Sequence, residues 1–170
     1  MEEKINKEKL QFYILVFVLT SVCGWIMELL YSSATMGRLN IPGFLFGPYC
    51  TIYGFGTLIV LILCDDKNII KRIGKIFILT TLLEYITSVI LEKIVHIKWW
   101  DYSNNFLNIN GRVSLLYSTY WVVIGLIILR ILKPLFEKTY NRIQSPKVGM
   151  VLNGCILIIF IDMILSTVFA

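Results

Sequence analysis

The sequence predicts an all-α fold, an integral membrane helical bundle of about five transmembrane helices, forming a single transmembrane domain over residues 1–170. Three observations predict it. The chain is 57% hydrophobic and only 16% charged, where a soluble domain carries about a quarter charged residues. Its apolar residues gather in runs close to the length that crosses a bilayer. Short polar loops separate those runs and hold most of the Lys and Arg.

The first span runs from about Gln11 to Tyr31. A charged start, Glu2 to Lys9, precedes it as in a secretory signal, but an apolar stretch of about twenty residues exceeds a signal's hydrophobic region, so it reads as a retained span. The second span runs from about Gly47 to Cys64. Its approach, Ile41-Pro42-Gly43-Phe44-Leu45-Phe46-Gly47-Pro48, is apolar yet rich in Pro and Gly, and Pro48 suits the first turn of a helix. Two readings of Arg38 to Gly47 stand side by side: a re-entrant dip into the membrane, packed against protein, or an ordinary surface loop. Gly54 and Gly56 permit close helix contact. The third span runs from about Ile73 to Val95, the fourth from Val113 to Leu132 and the fifth from Val148 to Phe169. Between the last two, Lys133 to Pro146 mixes Leu135, Phe136, Tyr140 and Ile143 with Lys138 and Arg142, the pattern of a short interfacial amphipathic helix.

Twelve of the 16 Lys and Arg fall in the N-terminal tail and in the loops after spans two and four. That bias predicts a cytoplasmic N-terminus and an extracytoplasmic C-terminus. It also accounts for the net charge of +5 without any nucleic-acid surface. No Walker A loop is present, so the chain does not hydrolyse ATP itself. One histidine cannot furnish an H-E-x-x-H metalloprotease motif, and no Ser or Cys has an evident His partner. The chain is predicted not to be an enzyme, with no cofactor and no metal site. His96 reads as an interfacial hydrogen-bonder, and Cys23, Cys50, Cys64 and Cys155 read as small buried hydrophobes.

The chemistry lies in carboxylates placed inside apolar segments. Glu28, Glu84, Glu92 and Asp162 all sit within predicted spans, where an ionisable group costs several kcal/mol unless it is paired or wet. With the predicted topology all four favour the extracytoplasmic half. Glu84, Ser88, Glu92 and His96 recur every four residues and line one face of span three, which Thr81 extends inward. Ser21, Gly24, Glu28 and Ser32 make a similar stripe on span one. Trp99-Trp100-Asp101-Tyr102 follows span three as interfacial anchors or as an aromatic wall over an external cavity. Arg112 is the evident counter-charge, able to hold a carboxylate such as Glu92 or Asp101 bidentately. The candidate substrate or ion pocket comprises Glu28, Tyr49, Tyr53, Glu84, Ser88, Glu92, Trp100, Asp101 and Arg112, with Asp162 as a further member.

Three blocks carry a family resemblance: Gly24-Trp25-Ile26-Met27-Glu28 with Tyr31-Ser32; Gly43-Phe44-Leu45-Phe46-Gly47-Pro48-Tyr49 with Ile52-Tyr53-Gly54-Phe55-Gly56; and Leu83-Glu84-Tyr85 through Glu92, then Trp99-Trp100-Asp101-Tyr102-Ser103 and Asn108-Ile109-Asn110-Gly111-Arg112. Together, over about residues 12 to 165, the chain resembles the putative ABC-transporter type IV family, also called CmpB-like, of small bacterial membrane proteins. Thr51 stands where that family often has Pro, and Val113-Ser114 replaces a more usual Ile-Cys. The resemblance implies a multi-pass, permease-like subunit of the cell membrane. Its expected partners are the lipid bilayer and either a separate ATPase subunit or a second copy of the chain. The alternative is a non-transporting membrane interaction or regulatory protein whose buried acids are structural.

Overall fold

The computed structural model describes residues 2–96 and 98–169. Every regular element among them is helical, apart from one isolated antiparallel bridge between Ile109 and Val113. The order is α1 (Glu2–Met36), α2 (Thr51–Leu63), α3 (Ile69–Val95), α4 (Leu115–Ile127), a π-helical turn (Ile128–Leu132), α5 (Lys133–Ile143) and α6 (Pro146–Val168). Among the described residues four stretches are long and apolar enough to cross a membrane: Asn6–Met36, Ile69–Val95, Leu115–Ile143 and Pro146–Val168. The helix α2 is apolar but only 13 residues long.

Two expectations about element boundaries are corrected. Span two does not begin at Gly47 with Pro48 in its first helical turn; residues 44–48 form bends and the helix starts at Thr51. Span four does not stop at Leu132. The helix continues through Pro134 to Ile143, so the amphipathic segment is present as α5, yet it is fused to α4. Pro134 has no N–H to give and its ring crowds the carbonyl four residues back, which normally ends a helix. Here the preceding π turn absorbs the misfit: the Lys133 N–H bonds to the Ile128 carbonyl, five residues away.

The chain divides into two compact units, Met1–Phe55 with Phe136–Ala170, and Gly56–Leu135. In the first, α1 packs along α6. Leu15, Tyr140 and Leu152 form its buried cluster, flanked by Phe12, Ile14 and Val148. In the second, α3 packs along α4, and Val60, Cys64, Ile76, Ile128 and Leu129 form the cluster. Gly125 admits Ile76, since a Cβ there would come within 2.8 Å of that side chain. Asn68 caps α3 by accepting from the N–H groups of Ile70 and Lys71.

The faces of α3 identify its solvent. Ile76, Thr80, Glu84 and Ser88 are buried, while Ile78, Leu82, Ile86, Ile90 and Ile94 are exposed, each row at intervals of four. Isoleucine outward with Thr, Glu and Ser inward is the reverse of a water-soluble helix and suits one surrounded by hydrocarbon. On α6 the pattern repeats, with Asp162 and Ser166 buried and Leu157, Ile158, Phe160, Ile161 and Ile164 exposed. The chain is a multi-pass membrane protein. Of the cysteines only Cys64 is fully buried; Cys50 and Cys155 are half-buried and Cys23 is exposed on α1, so the expectation of four buried small hydrophobes holds for one of them.

Candidate functional site

Within the first unit the polar stripe of α1 faces the connection to α2. Gly24 leaves room for an aromatic ring: a Cβ there would lie 2.3 Å from Tyr53. Tyr53 therefore lies against α1, and its hydroxyl donates to Glu28 Oε1 at 3.1 Å. Gly54 similarly meets Ser21 and Phe17. Along the same stripe the Cys50 N–H donates to the Ser21 carbonyl at 2.8 Å, Trp25 Nε1 to the Pro42 carbonyl at 3.1 Å, and Ser32 Oγ to the Asn40 carbonyl at 3.1 Å. The non-helical stretch between α1 and α2 is thus stitched to α1 from Asn40 to Cys50.

Its other edge is held by Asp162. The carboxylate accepts from the N–H of Phe46 at 3.1 Å, the N–H of Gly47 at 2.9 Å, Ser166 Oγ at 2.9 Å, and the hydroxyl of Tyr49. Four donors converge on one buried acid, two of them backbone N–H groups that a helix would have satisfied internally. An open, mostly apolar groove is lined by Phe46, Gly47, Tyr49, Ile158, Ile161, Asp162 and Leu165.

Within the second unit the loop after α3 folds onto that helix's polar face. The Tyr102 hydroxyl donates to Glu84 Oε1 at 3.2 Å, and its ring stacks on Tyr117 of α4, centroids 4.0 Å apart. Arg112 donates from Nη1 to Ser88 Oγ at 3.1 Å and forms an ion pair with Glu92. Its guanidinium also stands 6.0 Å from the Tyr85 ring centroid. The expected alternatives for Arg112, Glu92 or Asp101, resolve to Glu92. Trp100 Nε1 donates to the Arg112 carbonyl at 2.8 Å, which fixes the backbone behind the clamp. Lower on the face, Thr81 Oγ1 bonds to Ser118 Oγ at 2.7 Å and ties α3 to α4.

Asp101 lies outside this face. Its Oδ1 accepts from the N–H and hydroxyl of Ser103, hydrogen bonds that hold its carboxyl below the ordinary range. Gly111, at φ +68°, makes the reversal possible: a Cβ there would lie 2.4 Å from Ser103 Oγ and 2.5 Å from Asp101 Oδ1. His96 ends α3 in the left-handed region, its N–H bonded to the Glu92 carbonyl at 2.9 Å, and its side chain is exposed.

The candidate residues therefore fall into local groups. Glu28 meets Tyr53, and Asp162 meets Tyr49, in the first unit; Glu92, Ser88, Arg112 and Trp100 form one group in the second, with Glu84 deeper on the same helix. Sequence reasoning missed Tyr102, Tyr85 and Ser166 as partners. Ser166 had a signal, being four residues after Asp162 on one helix face. The loop tyrosine had one as well, in the Trp99-Trp100-Asp101-Tyr102 run read as anchors or an aromatic wall, although nothing in that run pointed to Glu84.

Long apolar helices and carboxylates paired inside them define a multi-pass helical membrane protein with polar faces turned inward. Residues 15–167 match the family described as "Putative ABC-transporter type IV", and the chain belongs to that family. Among curated proteins and among solved structures, nothing matches.

Proposed function

We propose that the chain is a permease-like membrane transport subunit in which the polar face of α3 is the solute or ion path, reached from the extracytoplasmic half. One observation carries the reading. Glu84 is a carboxylate buried in the middle of a long apolar helix, aligned with Thr80 and Ser88, and its Oε1 accepts from the Tyr102 hydroxyl. Hydroxyls and carboxylates in file offer a cation or a proton successive partners in a setting where each polar group is costly to bury. On this reading the Arg112–Glu92 clamp and Tyr102 close the outer end of the path, and release of the loop from 98 to 112 opens it.

We read residues 1–170 as a single transmembrane domain with five crossings, the N-terminus cytoplasmic by the Lys and Arg count. The fifth crossing combines loop and helix. The 13 residues of α2 rise about 20 Å, short of a hydrocarbon core of about 30 Å. The stretch from 42 to 50 supplies the rest as a re-entrant segment. Non-helical backbone is tolerated at such depth only when its polar groups are bonded within the protein. Asp162, six residues inside the end of α6 and so about 9 Å below it, supplies acceptors for two of them. Trp100 and Asp101 then shape the outer loop beside the path, while Glu28, Tyr49 and Tyr53 hold the re-entrant segment within the first unit. An ATPase, where the chain works in an ABC system, comes from another polypeptide and meets the cytoplasmic loops.

A second reading is favoured by a separate observation: Glu28, Glu84, Glu92 and Asp162 each have a donor of their own. In that case the chain is a non-transporting membrane interaction protein. Glu84→Gln separates the two when thermal stability and ion uptake into proteoliposomes are measured on the same preparation. Retained folding with lost uptake supports transport. Lost stability with unchanged uptake assigns the acid to the fold.

A further inference from the structure

The end of the first unit opposite the Asp162 latch carries a basic rim that neither the family match nor the proposed path uses. Three distant parts of the chain meet there. The Tyr140 hydroxyl donates to Gln11 Oε1 at 3.4 Å, and Gln11 also packs against Gly149, where a Cβ would lie 2.2 Å from its amide nitrogen. This junction gathers Lys7 and Lys9 from α1, Lys138 and Arg142 from α5 and Lys147 from α6, all exposed. Among the described side chains of these stretches, Glu8 and Glu137 are the acids, against five bases.

Chain geometry fixes the depth of this rim. Lys147 is the second residue of α6, whose following residues form an apolar span, and Lys9 directly precedes the apolar run of α1. The bases therefore stand where hydrocarbon gives way to headgroups. Lys9 lies 6.0 Å from the ring centroid of Tyr13, an aromatic residue suited to that boundary. Beside the bases, Leu10, Met150 and Val151 are exposed and offer apolar surface to acyl chains.

We propose that this rim binds the headgroup of an anionic phospholipid in the adjoining leaflet. Phosphate charge meets clustered ammonium and guanidinium groups, while the acyl chains lie along exposed α1 and α6. A basic surface at headgroup depth, bordered by apolar side chains, fits a lipid better than an acidic protein segment in water.

The test uses the full chain in a neutral detergent, with thermal unfolding followed as phosphatidylglycerol is added. Phosphatidylcholine and inorganic phosphate form the comparison arms. Phosphatidylglycerol is expected to raise the midpoint saturably, and rising NaCl to shrink the effect. K9Q/R142Q/K147Q is expected to need at least about tenfold more phosphatidylglycerol, at roughly fivefold or less per charge removed. K67Q/K71Q, with its changes outside the rim, should respond like the wild type. Equal stabilisation by phosphatidylcholine, reproduction by phosphate alone, or equal responses of the two variants would overturn the proposal. Should the triple variant not fold, the wild-type salt series decides: a phosphatidylglycerol effect undiminished by salt overturns it as well.

Discussion

Asp162→Asn replaces the acceptor at the centre of the latch with a group of the same shape. The carboxylate serves Phe46 N–H, Gly47 N–H, Ser166 Oγ and the Tyr49 hydroxyl. An asparagine retains one oxygen, enough for two donors, and turns an NH2 toward the other two. The hydroxyls can swing away, Ser166 toward the carbonyl four residues back on its own helix. The N–H groups of Phe46 and Gly47 cannot. Each oxygen serves one N–H and one hydroxyl, so the NH2 strands one N–H at about 1–3 kcal/mol and forfeits one hydroxyl bond at about 1 kcal/mol, a loss of about 2–4 kcal/mol. Thermal unfolding in mild detergent reads the total.

Cys50 reads the local effect. It lies at the end of the latched segment, its N–H bonded to the Ser21 carbonyl. With Cys23 and Cys155 replaced by Ser, and Cys64 fully buried, maleimide reaction reports on Cys50. The expected result is a lower midpoint together with faster labelling in Asp162→Asn. Ser166→Ala, which removes one mobile donor, should cost under about 1.5 kcal/mol and leave labelling near wild type. An Asp162→Asn protein with wild-type midpoint and labelling would refute the claim that this acid holds the segment from 42 to 49.

Three further outcomes follow from the same geometry. Gly24→Ala places a methyl 2.3 Å from the Tyr53 ring, so Tyr53 must leave α1 and its bond to Glu28; a loss of about 1–3 kcal/mol is expected in thermal unfolding, and an unchanged midpoint would contradict the packing. Arg112→Lys keeps the charge but not the fork that reaches Ser88 and Glu92 together, so limited proteolysis should cut the loop from 98 to 112 faster in Arg112→Lys than in wild type, and faster still in Arg112→Gln. Asp66 lies outside the membrane segments, and the Asn68 N–H, followed by Lys75, holds its carboxyl below the ordinary value of 3.8. A depressed folded-state pKa gives stability that is present above the unfolded value and lost as pH falls through the folded one. The midpoint of Asp66→Asn should therefore lie below wild type near neutral pH and converge with it as pH falls through the folded-state value, which lies below 3.8.

The membrane-crossing helices were legible because hydrocarbon imposes a simple pattern. On α3, a polar residue every fourth position inside a run of Ile and Leu can face inward only along one stripe, and Thr80, Glu84 and Ser88 are indeed buried together. The stripe of Ser21, Gly24 and Glu28 on α1 was legible for the same reason, although the element it would meet was not: Tyr53 and the segment before it fill that side. Boundaries failed where a tertiary partner or a local distortion replaced the usual rule. Pro134 looks like a stop, yet a π turn carries the helix past it. Pro48 looks like a start, yet the residues before Thr51 stay non-helical because Asp162, far along the sequence, accepts their N–H groups.

The partners of the acids were the least legible part, for a physical reason. Counting charges along the sequence weighs four acids against few outer bases and leaves some acid over. A carboxylate in a membrane protein needs donors, and donors need not be charged. Tyr53 serves Glu28, Tyr102 serves Glu84, and backbone N–H groups with Tyr49 serve Asp162, while Glu92 pairs with Arg112. Aromatic residues at span ends, read first as headgroup anchors, thus double as hydroxyl donors reaching inward. The distinction bears on mechanism. An acid held by a hydroxyl can exchange a proton or release to a cation without stranding a buried base, whereas one clamped by a guanidinium cannot. Glu92, held by Arg112, therefore suits a closure better than it suits exchange.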